Sequence, residues 1–314
     1  MGAPTYTVIV PVFNEEKNIR PMYERLVRVI PGGDFEIIFV DDGSRDRTCA
    51  EIEKLAARDE RVKGVSFSRN FGHQIALTAG YDLAAGRAVI CLDGDLQQPP
   101  ELIPQMIAKW QEGYDIVLTV REDTRETPFF KRVTSRLYYW LINTVSRMTI
   151  PPGAADFRLM DRKVVEAFNS FRERNRFIRG IISWMGYRYT CLPYRTAERK
   201  FGRSRYSLGK MLRLAVDGIF SFSSYPLKVA SLFGYVISAF AFIYIVYALF
   251  ARFRFHSTIS GWTSLIITVL FLGGIQLICM GIIGEYIGRI YDETKNRPLY
   301  IIDKKIGYRQ TGRK

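Results

Sequence analysis

Ala88-Val89-Ile90-Cys91-Leu92-Asp93-Gly94-Asp95-Leu96-Gln97 runs an uninterrupted apolar stretch straight into two carboxylates separated by one glycine. An apolar run without polar alternation describes a strand buried on both faces, and such strands belong to parallel sheets covered by helices. Ligands of these sheets meet the chain beyond the C-terminal strand ends, so both acids stand where binding is expected. The glycine predicts a tight turn that lets Asp93 and Asp95 reach one hard cation, with Gln97 nearby. A lone Asp-X-Asp is ordinarily a solvated turn; its place at a strand end gives this one weight.

Reading outward, further strands are predicted at residues 5–12, 35–41, 62–66 and 115–120. Helices are predicted at 18–29, 48–58, 75–85 and 100–112. The fold class is therefore α/β, a mostly parallel sheet with helices on both faces. The first strand ends in Pro11-Val12-Phe13-Asn14-Glu15-Glu16 and the second in Val40-Asp41-Asp42-Gly43-Ser44. Three strand ends thus gather acids at one rim, where mutual repulsion calls for a cation or a hydroxyl-rich ligand. Mg²⁺ and Mn²⁺ suit such oxygens and bridge to phosphate rather than filling an all-protein cage. Asn14 and Glu15 are also placed to cap the first helix. Past Pro151 the pattern loosens into a mixed α+β stretch ending near Pro193.

The 314 residues carry a formal net charge of +14, which fits nucleic acid, anionic lipid or a phosphorylated substrate as partner. Cys49, Cys91, Cys191 and Cys279 have no paired spacing, which argues against a disulfide framework and suits a reducing compartment. His73 and His256 are the only histidines and lie far apart, so no histidine metal site is expected. The absence of a Gly-X-Gly-X-X-Gly fingerprint and of a phosphate-loop lysine argues against dehydrogenases and ATPases. Residues 1–12 lack the basic start of a signal peptide, so the N-terminal domain is expected in the cytoplasm.

Residues 229–251 and 257–284 contain no Asp, Glu, Lys, Arg or His. Each exceeds the ~20 apolar residues that cross a bilayer core, and two transmembrane helices are predicted. Residues 195–213 and 285–314 are rich in Lys and Arg, whereas the connecting loop holds only Arg252 and Arg254. Both ends are then expected on the cytoplasmic face of the cell membrane. The expected division is a catalytic domain at 1–200, a basic loop and interface helix at 201–225, spans at 226–251 and 262–287, a short non-cytoplasmic loop at 252–261, and a basic tail at 288–314.

Pro-Val-Phe-Asn-Glu-Glu, Val-Asp-Asp-Gly-Ser and Asp-Gly-Asp-Leu-Gln-Gln-Pro-Pro-Glu, in this order, resemble glycosyltransferase family two with its GT-A fold. Ser68-Arg69-Asn70-Phe71-Gly72-His73-Gln74, followed by Ala79-Gly80, is similar to the polyisoprenyl-phosphate branch of that family, nearest its bactoprenol glucosyltransferases. The resemblance implies a UDP-sugar donor, with UDP-glucose foremost and other sugars such as N-acetylglucosamine, mannose and aminoarabinose open. It implies Mg²⁺ or Mn²⁺ as cofactor, a polyisoprenyl phosphate acceptor, a lipid bilayer, no nucleic acid, and a homo-oligomer with a tetramer in view. Processive polysaccharide synthases share this domain but carry a Gln-X-X-Arg-Trp motif that is absent here. A non-catalytic scaffold would not need Asp93, Asp95 and Asp156.

Residue by residue, the resemblance implies that Pro11, Val12, Asn14, Glu15 and Gly94 line the nucleotide pocket, with Arg69 facing it. Asp41 and Asp42 would hold uracil and ribose, and Asp93, Asp95 and Gln97 the metal. Arg121, Lys131, Arg132 and Ser135 match positions that bind the acceptor phosphate. Asp95 and Asp156 are the catalytic candidates, Asp156 to orient or deprotonate the nucleophile. The predicted helix at 129–149 mixes these basic residues with aromatics, which core packing and a membrane-facing role explain equally well. Lys200, Arg203 and Arg205 sit on a loop that can close over the diphosphate or attract anionic headgroups.

Overall fold

The computed structural model describes residues 4–32, 34–122, 151–195, 225–255 and 261–308. The chain divides into two compact units, Met1–Leu212 with Arg297–Lys314, and Arg213–Asn296.

The first unit is built on a sheet whose strands follow the apolar runs: β1 (Tyr6–Val12), β2 (Phe35–Asp41), β3 (Val62–Phe67), β4 (Ala88–Cys91) and β5 (Ile116–Arg121). Between them lie α1 (Ile19–Val29), α2 (Thr48–Ala56), α3 (His73–Leu83) and, after a 3₁₀ turn at Pro100–Leu102, α4 (Ile103–Gln111). β1 is central, parallel to β2 on one side and β4 on the other, with Val12 level with Asp41 and Ile9 level with Cys91. All seven residues of β1 and of β2 are buried, as continuous apolar strands require. α1 seals one face with Met22 and Leu26, and α3 lies close on β1 through Gly80, where any Cβ would collide with Ile9.

The loosened stretch after Pro151 folds into β6 (Ala154–Asp161), α5 (Arg162–Ser170), α6 (Ile178–Trp184) and β7 (Tyr189–Tyr194). β6 inserts antiparallel between β4 and β5, while β7 runs parallel to β5 at the edge. The insertion brings Asp156 and Arg158 beside the end of β4. Residues 302–306, expected within a basic tail, instead form β8 (Ile302–Ile306), which pairs antiparallel with β3 and completes the order β7-β5-β6-β4-β1-β2-β3-β8. Tyr300 secures this return by stacking on Phe67 and donating its hydroxyl to Asp82 at 2.9 Å. An edge strand can carry Asp303, Lys304 and Lys305 because one side of it faces water.

The second unit holds α7 (Tyr225–Phe255) and α8 (Trp262–Thr294). Within them Tyr225–Tyr244 and Ile267–Thr294 are long and apolar enough to cross a membrane, with mean hydropathy 1.7 and 2.2. Phe240, Phe242, Ile278 and Met280 all point outward from these helices, an exposure that water would penalise. α8 runs past the predicted span by seven residues, and Glu285, near the end of that span, pairs with Arg289 one turn on, at 2.9 Å.

Candidate active site at the strand ends

The loops after β1, β2 and β3 interlock. Asn14, in a left-handed conformation at φ 55°, donates its N–H to Ser44 Oγ at 2.8 Å and accepts from Arg45 N at 2.9 Å. Glu15 N donates to Thr48 Oγ1 at 2.9 Å, and Glu15 Oε2 accepts from Asn18 Nδ2. Neither side chain caps α1: Asn18 is its N-cap residue and makes no capping bond through its side chain. Pro11 and Val12 are buried in β1, and the Val12 carbonyl accepts Asp42 N.

Asp41, almost fully buried, accepts from Ser44 N at 3.0 Å and Ser66 Oγ at 2.7 Å. Asp42 accepts from Phe71 N at 2.7 Å and Gly72 N at 3.0 Å. Burial pushes the Asp42 carboxyl up, against the pull of those two amides. Asp42 therefore fastens the loop after β3, while Asp41 ties its own loop to β3. Gly43 lets that loop lie flat, since at φ 68° its Cβ would meet the Arg69 backbone at 2.5 Å. Arg69 projects from the same loop, exposed and stacked on Phe71 at 4.1 Å.

At the end of β4, Gly94 is needed for closeness rather than for a turn. A Cβ there would stand 2.5 Å from Val12 Cγ1, and the left-handed turn falls on Leu96 at φ 60°. Asp95 Oδ1 accepts Gln97 N at 3.1 Å and so shapes the loop. Asp93 is clasped by Gln98, which the sequence reading passed over: Asp93 N donates to Gln98 Oε1 at 2.8 Å, and Gln98 Nε2 donates to Asp93 Oδ2 at 2.5 Å. Asp93 Oδ1 is buried without a hydrogen-bond partner. Burial raises this carboxyl to about 6; His73 pulls it down, and Asp156 and Asp95 push it further up.

Asp156, on β6, is the opposite case. Arg158 Nη2 lies 2.5 Å from its Oδ1, and Arg179, from α6, reaches both oxygens through Nε at 3.1 Å and Nη2 at 3.2 Å. Burial works to raise the Asp156 carboxyl, but Arg179, His73 and Arg158 hold it well below the usual carboxylate range. His73 Nε2 stands 3.4 Å from Asp93 Oδ1 and 3.4 Å from Asp156 Oδ2. Burial disfavours its charged form, yet the two carboxylates outweigh this and push it up to about 9. The sequence reading looked at His73 only as a metal ligand; the structure uses it as a cation between two acids.

The acidic rim expected from the sequence is thus largely compensated from within. Asp41 and Asp42 are held by hydroxyl and amide donors, and Asp156 by arginines. Asp93 Oδ1 accepts no hydrogen bond, and the one cation beside it, His73, is shared with Asp156; a buried carboxylate oxygen so served costs free energy unless more positive charge comes to it. Among the described residues no three His, Cys, Asp or Glu side chains form a ready metal cage. The donor chemistry of Asp93 and Asp95 fits Mg²⁺ or Mn²⁺. Arg121 ends β5, exposed and level with Tyr194 of β7. Lys131, Arg132, Ser135, Lys200, Arg203 and Arg205 lie outside the described residues, as do the predicted helix at 129–149 and nearly all of the interface helix at 206–225.

A sheet of this order, with helices on both faces, is of the GT-A type found among glycosyltransferases. Residues 7–168 match the family model for glycosyl transferase family 2. The chain belongs to that family and is a glycosyltransferase. Residues 225–290 match the model described as the GtrB C-terminal hairpin. The chain is 47% identical over 304 residues to the uncharacterized glycosyltransferase YkcC of Bacillus subtilis, covering 96% of this chain and 94% of that one. It is 44% identical over 301 residues to the SfII prophage-derived bactoprenol glucosyl transferase of Shigella flexneri, covering 95% and 97%. A prophage bactoprenol glucosyl transferase homolog of Escherichia coli is likewise 44% identical, with 95% and 98% covered.

Proposed function

We propose that this enzyme transfers a hexose, glucose from UDP-glucose foremost, onto a polyisoprenyl phosphate such as undecaprenyl phosphate, with inversion at the anomeric carbon. The observation that carries the reading is Asp93 Oδ1, buried with no hydrogen bond and only His73 near it at 3.4 Å, beside Asp95 at a parallel strand end, in a chain that aligns over nearly its whole length with relatives named for glucosyl transfer to bactoprenol. Asp93, Asp95 and Gln97 would hold Mg²⁺ or Mn²⁺. When bound, that ion supplies positive charge to the departing diphosphate.

Pro11, Val12, Asn14, Glu15, Gly94 and Arg69 would bound the nucleotide pocket. Asp41 and Asp42, almost fully buried, would hold uracil and ribose from the positions where they also hold the surrounding loops. Arg121, Lys131, Arg132 and Ser135 would receive the acceptor phosphate, and Lys200, Arg203 and Arg205 would close over the diphosphate. Asp156 is a poor proton acceptor, because two arginines and His73 stabilise its ionised form. The acceptor does not need a strong base: a phosphate monoester has its second pKa near ~6 and is largely dianionic at neutral pH. Positioning and charge neutralisation then carry the rate.

α7 and α8 would cross the cell membrane as a hairpin, with both termini and the catalytic domain on the cytoplasmic side, where basic flanks favour retention. In this reading the basic loop and interface helix at 201–225 and the short loop at 252–261 flank the first span. Assembly into a homo-oligomer belongs to the same proposal. Purified protein incubated with undecaprenyl phosphate, Mg²⁺ or Mn²⁺ and a panel of UDP- and GDP-sugars should form a lipid-linked hexose, fastest with UDP-glucose. No lipid-linked sugar from any donor would end this reading.

A further inference from the structure

The chain from Asp93 to Gln98 closes on itself. Leu96, left-handed at φ 60°, turns it back, and Asp95 Oδ1 holds Gln97 N at 3.1 Å. Pro99 and Pro100 follow at once, and Pro100 opens the 3₁₀ turn. A proline keeps the residue before it out of the helical region, which restricts the backbone of Gln98. Gln98 is 5% exposed and gives both ends of its amide to one residue: Oε1 accepts Asp93 N at 2.8 Å, and Nε2 donates to Asp93 Oδ2 at 2.5 Å. The main-chain N–H can only donate, so it decides which end of the amide is oxygen and leaves the Nε2 donor against the carboxylate. One bond to the main chain and one to the side chain of the same residue fix how that side chain is turned. Among the described residues Gln98 is the only one that hydrogen-bonds the Asp93 carboxylate. The charged groups around this carboxylate are His73, 3.4 Å from Oδ1 and equally far from Asp156, with Asp156, Asp95 and Arg179. The orientation of a metal-ligating carboxylate is set by the groups that hydrogen-bond it.

We propose that Gln98 is a positioning residue for the metal: it holds the plane of the Asp93 carboxylate in the attitude in which Asp93 and Asp95 take Mg²⁺ or Mn²⁺, without touching the ion itself. The inference rests on the reading that these two acids hold the ion. It gives two adjacent glutamines different work, the half-buried Gln97 towards the ion and the buried Gln98 towards its ligand.

The experiment measures the ion directly, so that it stands apart from turnover. Gln98→Met keeps the length of the side chain and removes both bonds; Gln98→Asn keeps the amide but falls short and retains at most one. Full-length wild type and both variants, in detergent, are titrated with Mn²⁺ in the presence of UDP, followed by electron paramagnetic resonance, and with UDP alone in EDTA. Gln98→Met should weaken Mn²⁺ by about 10- to 100-fold and Gln98→Asn by less, with the affinity for UDP alone unchanged within about twofold. At saturating Mn²⁺ the spectrum of the bound ion should differ from that of wild type, because a ligating carboxylate has turned. A glutamine that merely anchored its loop would lower the melting temperature and leave ion affinity and spectrum alone; that result in Gln98→Met overturns the inference. Should Gln98→Met fail to fold, Gln98→Asn decides on the same terms. A structure of wild type with Mn²⁺ and UDP decides independently: Gln98 must still hold Asp93 Oδ2, and an amide turned away from it overturns the inference. Wild type that binds Mn²⁺ with UDP yet makes no lipid-linked sugar sinks the transfer reading and leaves the role of Gln98 standing. Wild type that binds no Mn²⁺ overturns that role, whatever the enzyme transfers.

Discussion

The ends of β4 and β6 lie side by side and each supplies one acid to the same site, yet the two acids are kept in opposite conditions. Asp93, at the end of β4, has one oxygen clasped by Gln98 and the other buried without a hydrogen bond, facing His73 at 3.4 Å, and burial raises its pKa to about 6. Asp156, on β6, is surrounded by Arg158, Arg179 and His73, which hold its ionised form far down. One carboxylate has two arginines as well as His73 against it; the other has only the shared His73, at 3.4 Å. On the proposed function, this difference would separate a ligand-holding acid from a framework acid. It also says that the same substitution at the two positions should do opposite things.

Asp93→Asn tests the less compensated acid and should give the largest effect. Turnover should fall by at least ~10²-fold, the scale of losing one preorganised electrostatic contact to a developing charge. Without metal, the same variant should melt higher than wild type, because an amide in place of the less compensated carboxylate removes a charge that burial penalises. A thermal scan beside a product assay reads both. Wild-type turnover in Asp93→Asn would break the comparison at its first term.

Asp156→Asn tests the framework acid and should move stability the other way. It leaves Arg158 wholly buried beside a neutral amide, and breaking a buried pair by removing one partner costs about 3–5 kcal/mol. Denaturant titration of the two Asn variants side by side checks the contrast. If both destabilise alike, the difference in their surroundings has no energetic meaning.

Much of this arrangement was legible in the sequence, for a physical reason. β1 to β5 are buried on both faces, so their apolar runs are continuous and end where polar chemistry begins; the predicted bounds fall within a residue or two. The acids at the ends of β2 and β4 could be read because they interrupt those runs. β6 was hidden because Ala154-Ala155-Asp156-Phe157-Arg158 carries two charges that neutralise each other inside the fold, a pattern resembling exposed chain. The available signal was the spacing of two between Asp156 and Arg158, which puts both on one face of a strand. β8 was hidden for the converse reason, since Ile302-Asp303-Lys304-Lys305-Ile306 is an edge strand whose charges face water. His73, Gln98 and Arg179 could not be placed from spacing, because each reaches the site from a different element.

The smallest effect, and the one that sharpens the comparison most, lies in how stability depends on pH. A carboxyl with a folded pKa of about 6 and an unfolded value near ~3.9 binds more protons in the native state between those limits. Stability from Asp93 is therefore greatest at the acid end of that window and declines as pH rises from ~4 to about 6. Asp156 has the opposite sign: its folded pKa lies below the unfolded value, so its contribution is present above ~4 and disappears as pH falls further. His73, raised to about 9 from an unfolded value near ~6.5, stabilises below ~6.5 and loses that contribution as pH climbs towards about 9. Metal-free protein followed by thermal melts should thus be most stable near pH 4–5, and Asp93→Asn should flatten the slope between 4 and 6 while leaving the fall below 4 in place. Mn²⁺ should raise the melting temperature of wild type at pH 7 more than at pH 5, where protons compete for the same oxygens, and should not raise that of Asp93→Asn at either pH. A slope between pH 4 and 6 that survives in Asp93→Asn would mean that another group titrates there, and that the acid at the end of β4 is not the less compensated one.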